Sequence, residues 1–114
     1  MEQTERELLE LSQQLLNSID QQDWVAYTRL CDPQLTAFEP ESCGNLIQGL
    51  PFHKFFFDME SPGRPKLSTI SSPLIRVIGD AAVITYVRVS QRIAADGSVP
   101  ISAFEETRIW EKQN

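Results

Sequence analysis

The sequence is poor in the residues that several classes of protein require. It contains two cysteines and one histidine among 114 residues. Two cysteines are too few for a disulfide scaffold and suit a reducing compartment, so we expect a cytoplasmic protein. A single histidine, with no CxxC or HExxH spacing, leaves almost nothing for a His-based metal site. We therefore predict neither a metal nor a cofactor.

Long apolar runs and excess positive charge are also missing. No run approaches the roughly 20 apolar residues of a membrane helix, and the first ten residues carry too many charges for a signal peptide. The formal net charge of −6 opposes binding to nucleic acid or to an anionic membrane. The chain lacks the Gly-rich loop, HRD and DFG signals of a kinase catalytic domain. Its length fits one domain over residues 1–114.

The N-terminal half shows helical periodicity. Leucines and Ile19 recur at three- and four-residue steps, which predicts an amphipathic helix over 5–19 with Thr4 as its N-cap. A shorter helix begins near Trp24 and ends before Pro33, because the residue before proline avoids the α region. A third, Phe-rich helix is predicted over 50–59.

The remaining segments read as strands. A short strand at 35–39 can pair with 43–48, and three longer strands are predicted at 66–78, 81–93 and 99–112, the first of them interrupted near 71–73. The turns between the long strands are marked by Gly79-Asp80 and Asp96-Gly97. Helices followed by a meander predict an α+β fold, a curved antiparallel sheet with helices on its concave face. The other face of that sheet is free to pack on a second subunit.

Two arginines lie on otherwise apolar strand faces. Alternation places Arg88 on one face with Ile84 and Tyr86, and places Arg108 on one face with three others: Phe104, Glu106 and Trp110. A buried guanidinium needs acceptors. One interpretation pairs the arginines with Glu106, Glu39 or Glu105, or lays their stems on aromatic rings. The other has both arginines converge on a pocket for a carboxylate, which guanidinium binds bidentately.

His53 and the phenylalanines around it allow more than one role. His53 is either a partly buried side chain satisfied by a backbone carbonyl or a pocket residue near the arginines. No nucleophile is evident beside it, so we predict no catalytic residue. Four phenylalanines within six residues cover more than one helical face, so at least one should point to solvent or to a partner: Phe52, Phe55, Phe56 and Phe57.

Several strings together resemble a known family. They are DWVAYTRLCDP at 23–33, LTAFEPE at 35–41, GNL at 44–46, GDAA at 79–82, YVR at 86–88 and EETRIW at 105–110. They resemble, in one register over nearly the whole chain, the association (hub) domain of calcium/calmodulin-dependent protein kinase II.

The resemblance implies a fold and a function. The fold would be the nuclear transport factor 2-like (SnoaL-like) cone, a curved antiparallel sheet wrapped around a long N-terminal helix and shorter helices. The function would be self-assembly into two stacked closed rings that together contain roughly twelve to fourteen subunits. The family's pocket, which takes small carboxylates or the kinase's regulatory segment, would be formed here by His53, Arg88 and Arg108. The expected lining is Tyr86, Phe104, Glu106 and Trp110.

The sequence also departs from the family pattern. The family continues after the Trp110 strand with a further strand that ends in another pocket arginine, whereas the sequence given stops at Asn114. Pro51 stands where the family usually has an acidic residue, and Gln22 stands in place of a turn glycine.

The alternative function is a SnoaL-like small-molecule isomerase or dehydratase that uses the cone pocket.

Overall fold

A computed structural model describes residues 1–113; Asn114, the last residue of the predicted domain, lies outside them. The fold is α+β, as predicted, with three helices preceding a three-stranded antiparallel sheet. The helices and strands are α1 (Gln3–Asp20), α2 (Trp24–Leu30), β1 (Thr36–Ala37), β2 (Ile47–Gln48), α3 (Pro51–Phe57), β3 (Lys66–Ile78), β4 (Ala81–Arg92) and β5 (Ile101–Glu111). A 3₁₀ turn at Pro40–Ser42 lies between β1 and β2.

The start of α1 differs from the sequence prediction. The helix begins at Gln3 rather than after Thr4, and no side chain caps its N-terminus. Because Thr4 is already helical, its hydroxyl is not in the position of a capping group. Instead, the guanidinium of Arg6 donates to the carbonyl of Met1 at 2.7 and 2.9 Å, which fixes the residues before the helix.

The turn between α1 and α2 is tied to the end of α3. Gln22 adopts a φ of 52°, a left-handed conformation in which a residue with a side chain is uncommon. Its amide donates to the carbonyls of Phe56, Phe57 and Met59, at 3.3, 3.4 and 2.8 Å. These carbonyls lie at and beyond the last turn of α3, where helical partners run out. The side chain of Gln22 therefore connects the turn between α1 and α2 to the end of α3.

The short strand pair forms where it was expected. β1 pairs antiparallel with β2, with Thr36 opposite Gln48 and Ala37 opposite Ile47. Gly49 follows with a φ of 77°, and its N–H donates to the carbonyl of Leu35 at 2.8 Å. The helix that follows is shorter than predicted, ending at Phe57. Two of its phenylalanines, Phe55 and Phe56, are exposed, as the crowding of aromatic residues predicted.

The large sheet has the order β3-β4-β5, with both pairings antiparallel. The predicted interruption near 71–73 is a bulge: the register shifts between Ser71 and Leu74, and Ser72 has a φ of 51°. A bulge of this kind bends and twists its strand. Pro73, which has no N–H to give to the ladder, lies inside it.

One face of the sheet forms the core with α1. Leu16, Ile84 and Tyr86 are its buried centre, surrounded by partly buried apolar residues: Leu9, Ile19, Ile70, Ile75 and Trp110. Alternation along β4 sends Ala82, Ile84 and Tyr86 to this inner face and the residues between them to the outer face. Within residues 1–113, no helix is long and apolar enough to cross a bilayer.

A buried hydroxyl links α1 to β5. The hydroxyl of Ser12, which is fully buried, donates to the carbonyl of Leu8 at 2.8 Å and accepts from the indole N–H of Trp110 at 3.0 Å. The indole N–H is a donor only, so it needs this acceptor when it is buried.

We expect Ser12→Ala to lower the free energy of unfolding by about 1–3 kcal/mol, because the substitution leaves the Trp110 N–H without a partner. Denaturant unfolding measures the loss. Ser102→Ala, at an exposed position of β5, is the matched control and should change stability by less than about 0.5 kcal/mol. Equal stability of the two variants would contradict the role of the Ser12 hydroxyl.

Candidate functional site

The two arginines singled out from the sequence lie close together on the inner face of the sheet. Pairing of β4 with β5 sets Tyr86 opposite Glu106, Ile84 opposite Arg108 and Arg88 opposite Phe104. Side chains two residues apart on one strand share a face. Arg88 and Arg108 therefore flank the Tyr86–Glu106 pair diagonally, one on each strand.

Glu106 lies at the centre of this group. Its Oε2 is 3.6 Å from Nη1 of Arg88, and its Oε1 is 3.7 Å from Nη2 of Arg108. The same Oε1 accepts the phenolic hydrogen of Tyr86 at 2.5 Å. Nη2 of Arg108 also donates to the Tyr86 oxygen at 3.4 Å. One carboxylate thus neutralises part of both guanidinium charges, as the acid-pairing interpretation anticipated.

A second acid contacts Arg88 from α1, and sequence reasoning missed it. Asp20, the last residue of α1, has a side chain only 3% exposed, and its Oδ1 accepts from Nη2 of Arg88 at 3.3 Å. Lys66 at the start of β3 approaches the same oxygen at 3.7 Å. Nε of Arg88 donates to the buried hydroxyl of Ser68 at 3.1 Å. An acidic residue at a helix end carries no local signal that it will be buried.

His53 forms a neighbouring pair with Glu39. Its Nε2 lies 2.8 Å from Oε1 of Glu39, so its partner is a carboxylate rather than the backbone carbonyl that one prediction proposed. This hydrogen bond holds the pKa of Glu39 below its ordinary value, with burial opposing it and the charges of Arg108 and Arg88 adding to it. The arginines and the His53–Glu39 pair therefore share one electrostatic environment. Tyr27 lies against the His53 ring, with 5.9 Å between ring centres.

Burial also shifts the pKa of several side chains around this group. Burial raises the pKa of both Tyr27 and Tyr86, and it also raises the pKa of the Cys31 thiol. These groups are therefore neutral near pH 7, and the hydroxyl of Tyr86 donates to Glu106. Burial alone would lower the pKa of Arg108, but the influence of Tyr86, Glu106 and Tyr27 outweighs it and the pKa rises.

The last two predicted lining residues lie at opposite ends of this group. Trp110 lies further along β5 and packs against the core, where its indole N–H donates to Ser12. Phe104 lies beside Arg88 in the sheet but is 51% exposed. The structure thus brings Tyr86 and Glu106 into contact with the arginines, whereas the Phe104 side chain is half exposed to solvent.

Three buried polar atoms among the described residues have no hydrogen-bond partner. They are Oδ2 of Asp20, Nδ1 of His53 and Nε of Arg108. An unpaired buried polar group is costly, and such groups often mark a place where a ligand or water binds. Within residues 1–113, no three His, Cys, Asp or Glu side chains are grouped so as to hold a metal ion. The chemistry present is that of guanidinium groups, a histidine and their counter-ions, which suits recognition of an anion.

Comparison with solved structures supports the fold. A nuclear transport factor 2 (NTF2-like) superfamily protein from Salmonella enterica is similar with a TM-score of 0.72 over 95% of this chain and 79% of that chain, at 20% identity. At this identity the likeness shows the fold alone. The architecture is therefore the NTF2-like cone that the resemblance implied.

Three solved hub domains are much more similar. The hub homology domain of Chlamydamonas reinhardtii is 40% identical, with a TM-score of 0.93, over 98% of this chain and 89% of that chain. The association domain from C. elegans is 37% identical, with a TM-score of 0.90, over 96% and 85%. The hub of S. rosetta is 43% identical, with a TM-score of 0.80, over 93% and 81%.

The sequence model of one family matches residues 4–114, almost the full length of the chain. Its description is the calcium/calmodulin dependent protein kinase II association domain. The solved hub domains agree with it. The chain therefore belongs to the calcium/calmodulin-dependent protein kinase II association domain family.

Proposed function

We propose that this chain, as one domain over residues 1–114, is a hub whose copies associate into a closed ring. The observation that carries the proposal is the outer face of the sheet, which exposes large apolar side chains and which no element within residues 1–113 covers. Membership in an association domain family supports it, as does the similarity to proteins described as hubs.

The outer face is formed by the residues that alternate with the inner arginines. Pairing sets Val83 between Arg76 and Ile109, and Thr85 between Leu74 and Thr107. Large apolar residues on this face are exposed to more than half of their surface: Leu67, Leu74, Ile78, Ile101 and Ile109. Several large apolar side chains grouped on one exposed sheet face usually mark a contact between proteins.

A second copy of the chain fits this face. Association through identical apolar faces removes the same surface from water on both partners. Contacts of a second kind between such pairs close a ring when the rotation between neighbours permits it. Following the family resemblance, we propose two stacked rings that together contain roughly twelve to fourteen copies. A ring of this kind would hold attached domains at high effective concentration.

The arginine group is the second part of the proposal. We assign His53, Arg88 and Arg108 to a pocket for a carboxylate, which would come from a small molecule or from an acidic segment such as a kinase regulatory segment. Tyr86, Glu106, Phe104 and Trp110 would line it. The unpartnered Nε of Arg108 supports this assignment, because a carboxylate oxygen is the natural acceptor for it.

The isomerase or dehydratase alternative is less well supported by the same groups. Proton abstraction needs a carboxylate whose pKa is raised towards the working pH. The pKa of Glu39 is instead lowered by His53, and Glu106 is held by two arginines and Tyr86. We therefore propose no catalytic residue.

Cys31 and Cys43 are free thiols, which agrees with the cytoplasmic location that we propose.

We expect Ile109→Asp to break the assembly, because a carboxylate on the outer face would lie unpaired in an apolar contact. Light scattering after size exclusion should show a particle of ten or more subunits for the unchanged chain and dimers or monomers for the variant. Val25→Asp, which replaces another exposed apolar residue but on α2, is the matched control. A monomer of 13.0 kDa for the unchanged chain would refute the hub proposal.

We expect Arg108→Lys to weaken binding of propionate at least about tenfold, because lysine keeps the charge but loses the guanidinium fork. Calorimetric titration of the intact particle measures the affinity. Arg64→Lys, at an exposed position between α3 and β3, should bind propionate as the unchanged chain does. Unchanged affinity in the Arg108→Lys particle would remove this arginine from the pocket.

A further inference from the structure

A carboxylate is buried where the backbone does not favour it. Asp20 ends α1, and the C-terminal end of a helix carries a partial negative charge that repels an acidic group. Its side chain is nevertheless 3% exposed. Burial of a charge is costly unless the charge is paired. The position of Asp20 therefore depends on the cations that surround it.

Those cations reach one of its two oxygens. Arg88 and Lys66 both approach Oδ1, at 3.3 and 3.7 Å, whereas Oδ2 is buried without a partner. The Nε of Arg88 donates to the hydroxyl of Ser68, on the other side of the same guanidinium. The pairing thus keeps Arg88 in place but leaves the carboxylate only half satisfied.

The two pocket arginines are consequently unequal. Arg88 has two carboxylates, Asp20 at Nη2 and Glu106 at Nη1, and the Ser68 hydroxyl at Nε. Arg108 shares one carboxylate, Glu106, and its Nε is unpartnered. An incoming carboxylate therefore meets a donor without a partner on Arg108 and a guanidinium on Arg88 that is already paired.

We propose that Asp20 is an internal counter-ion that determines which carboxylates the pocket accepts. Asp20 is paired with Arg88, so a bound ligand must share that arginine with it. A ligand with one negative charge binds at Arg108 with a modest penalty. A second negative charge brought near Arg88 is repelled by Asp20, so dicarboxylates are disfavoured. This inference rests on the proposed carboxylate pocket.

Asp20→Asn tests the inference, because it removes the charge and keeps the shape. Propionate and glutarate serve as the one-charge and two-charge probes, titrated into the intact particle by calorimetry. We expect propionate affinity to rise about threefold and glutarate affinity at least about tenfold. The ratio between the two probes is the decisive readout, since a general loosening of the fold would not favour the dianion. Glu10→Gln, which removes an exposed charge from the same helix, should leave that ratio unchanged.

A second variant covers the case in which Asp20→Asn does not fold. Lys66, at 41% exposure, shares the Asp20 carboxylate with Arg88. Lys66→Met leaves Arg88 as the sole cation on Asp20, so competition for Arg88 increases and glutarate should bind about threefold more weakly. Arg92→Met removes the same charge from the residue opposite Lys66 in the sheet and should have a smaller effect.

The outcomes separate this inference from the pocket itself. If Arg108→Lys weakens propionate binding but Asp20→Asn leaves both probes unchanged, the pocket stands and Asp20 has no selective role. Binding to the Asp20→Asn particle alone would support Asp20 as a counter-ion and overturn the pocket for the unchanged chain. If neither particle binds either probe, both proposals fail.

Discussion

The interior of this cone depends on the neutralisation of two guanidinium groups inside a small domain. Arg88 and Arg108 lie on the face of the sheet that also packs the core, where an unpaired charge would oppose folding. Glu106 lies between them and takes part in both pairings, with Tyr86 as a third contact. Asp20 supplies the second carboxylate from the helix that the sheet surrounds. These ion pairs link α1 to β4 and β4 to β5, so the fold and the candidate pocket have a common basis.

The same alternation that turns the arginines inward turns apolar residues outward. Each inward residue of β4 has an outward neighbour, and Val83 lies in a row that ends with Ile109. The inner face is covered by α1, but the described residues provide no element that covers the outer face. A sheet with one covered face usually exposes polar side chains on the other. Here the exposed apolar residues make association the simplest physical explanation, and membership in an association domain family agrees with it.

Local rules predicted much of this architecture, and tertiary contacts account for the exceptions. The interruption of β3 followed from Pro73 and its serine neighbours, since proline cannot donate to a ladder. The capping prediction at Thr4 was wrong because the helix begins two residues earlier, at Gln3, and Arg6 donates to the carbonyl of Met1 before it. The glycine-like conformation of Gln22 is compensated by its contacts with the end of α3, which no local pattern reveals. Those contacts join residues more than thirty positions apart.

The sequence alone determined which residues share a face, because that depends only on the periods of helices and strands. It thereby placed Arg88 and Arg108 on otherwise apolar strand faces, and the quoted strings indicated the family. Only the tertiary structure decided the partners of each charge. Asp20 is polar and lies at a helix end, a position that is usually solvated, yet the packing of α1 against the sheet buries it against Arg88. The pairing of His53 with Glu39 likewise requires a strand region and a helix to meet. Long-range pairings depend on how elements pack, and periodicity along the chain carries no information about that packing.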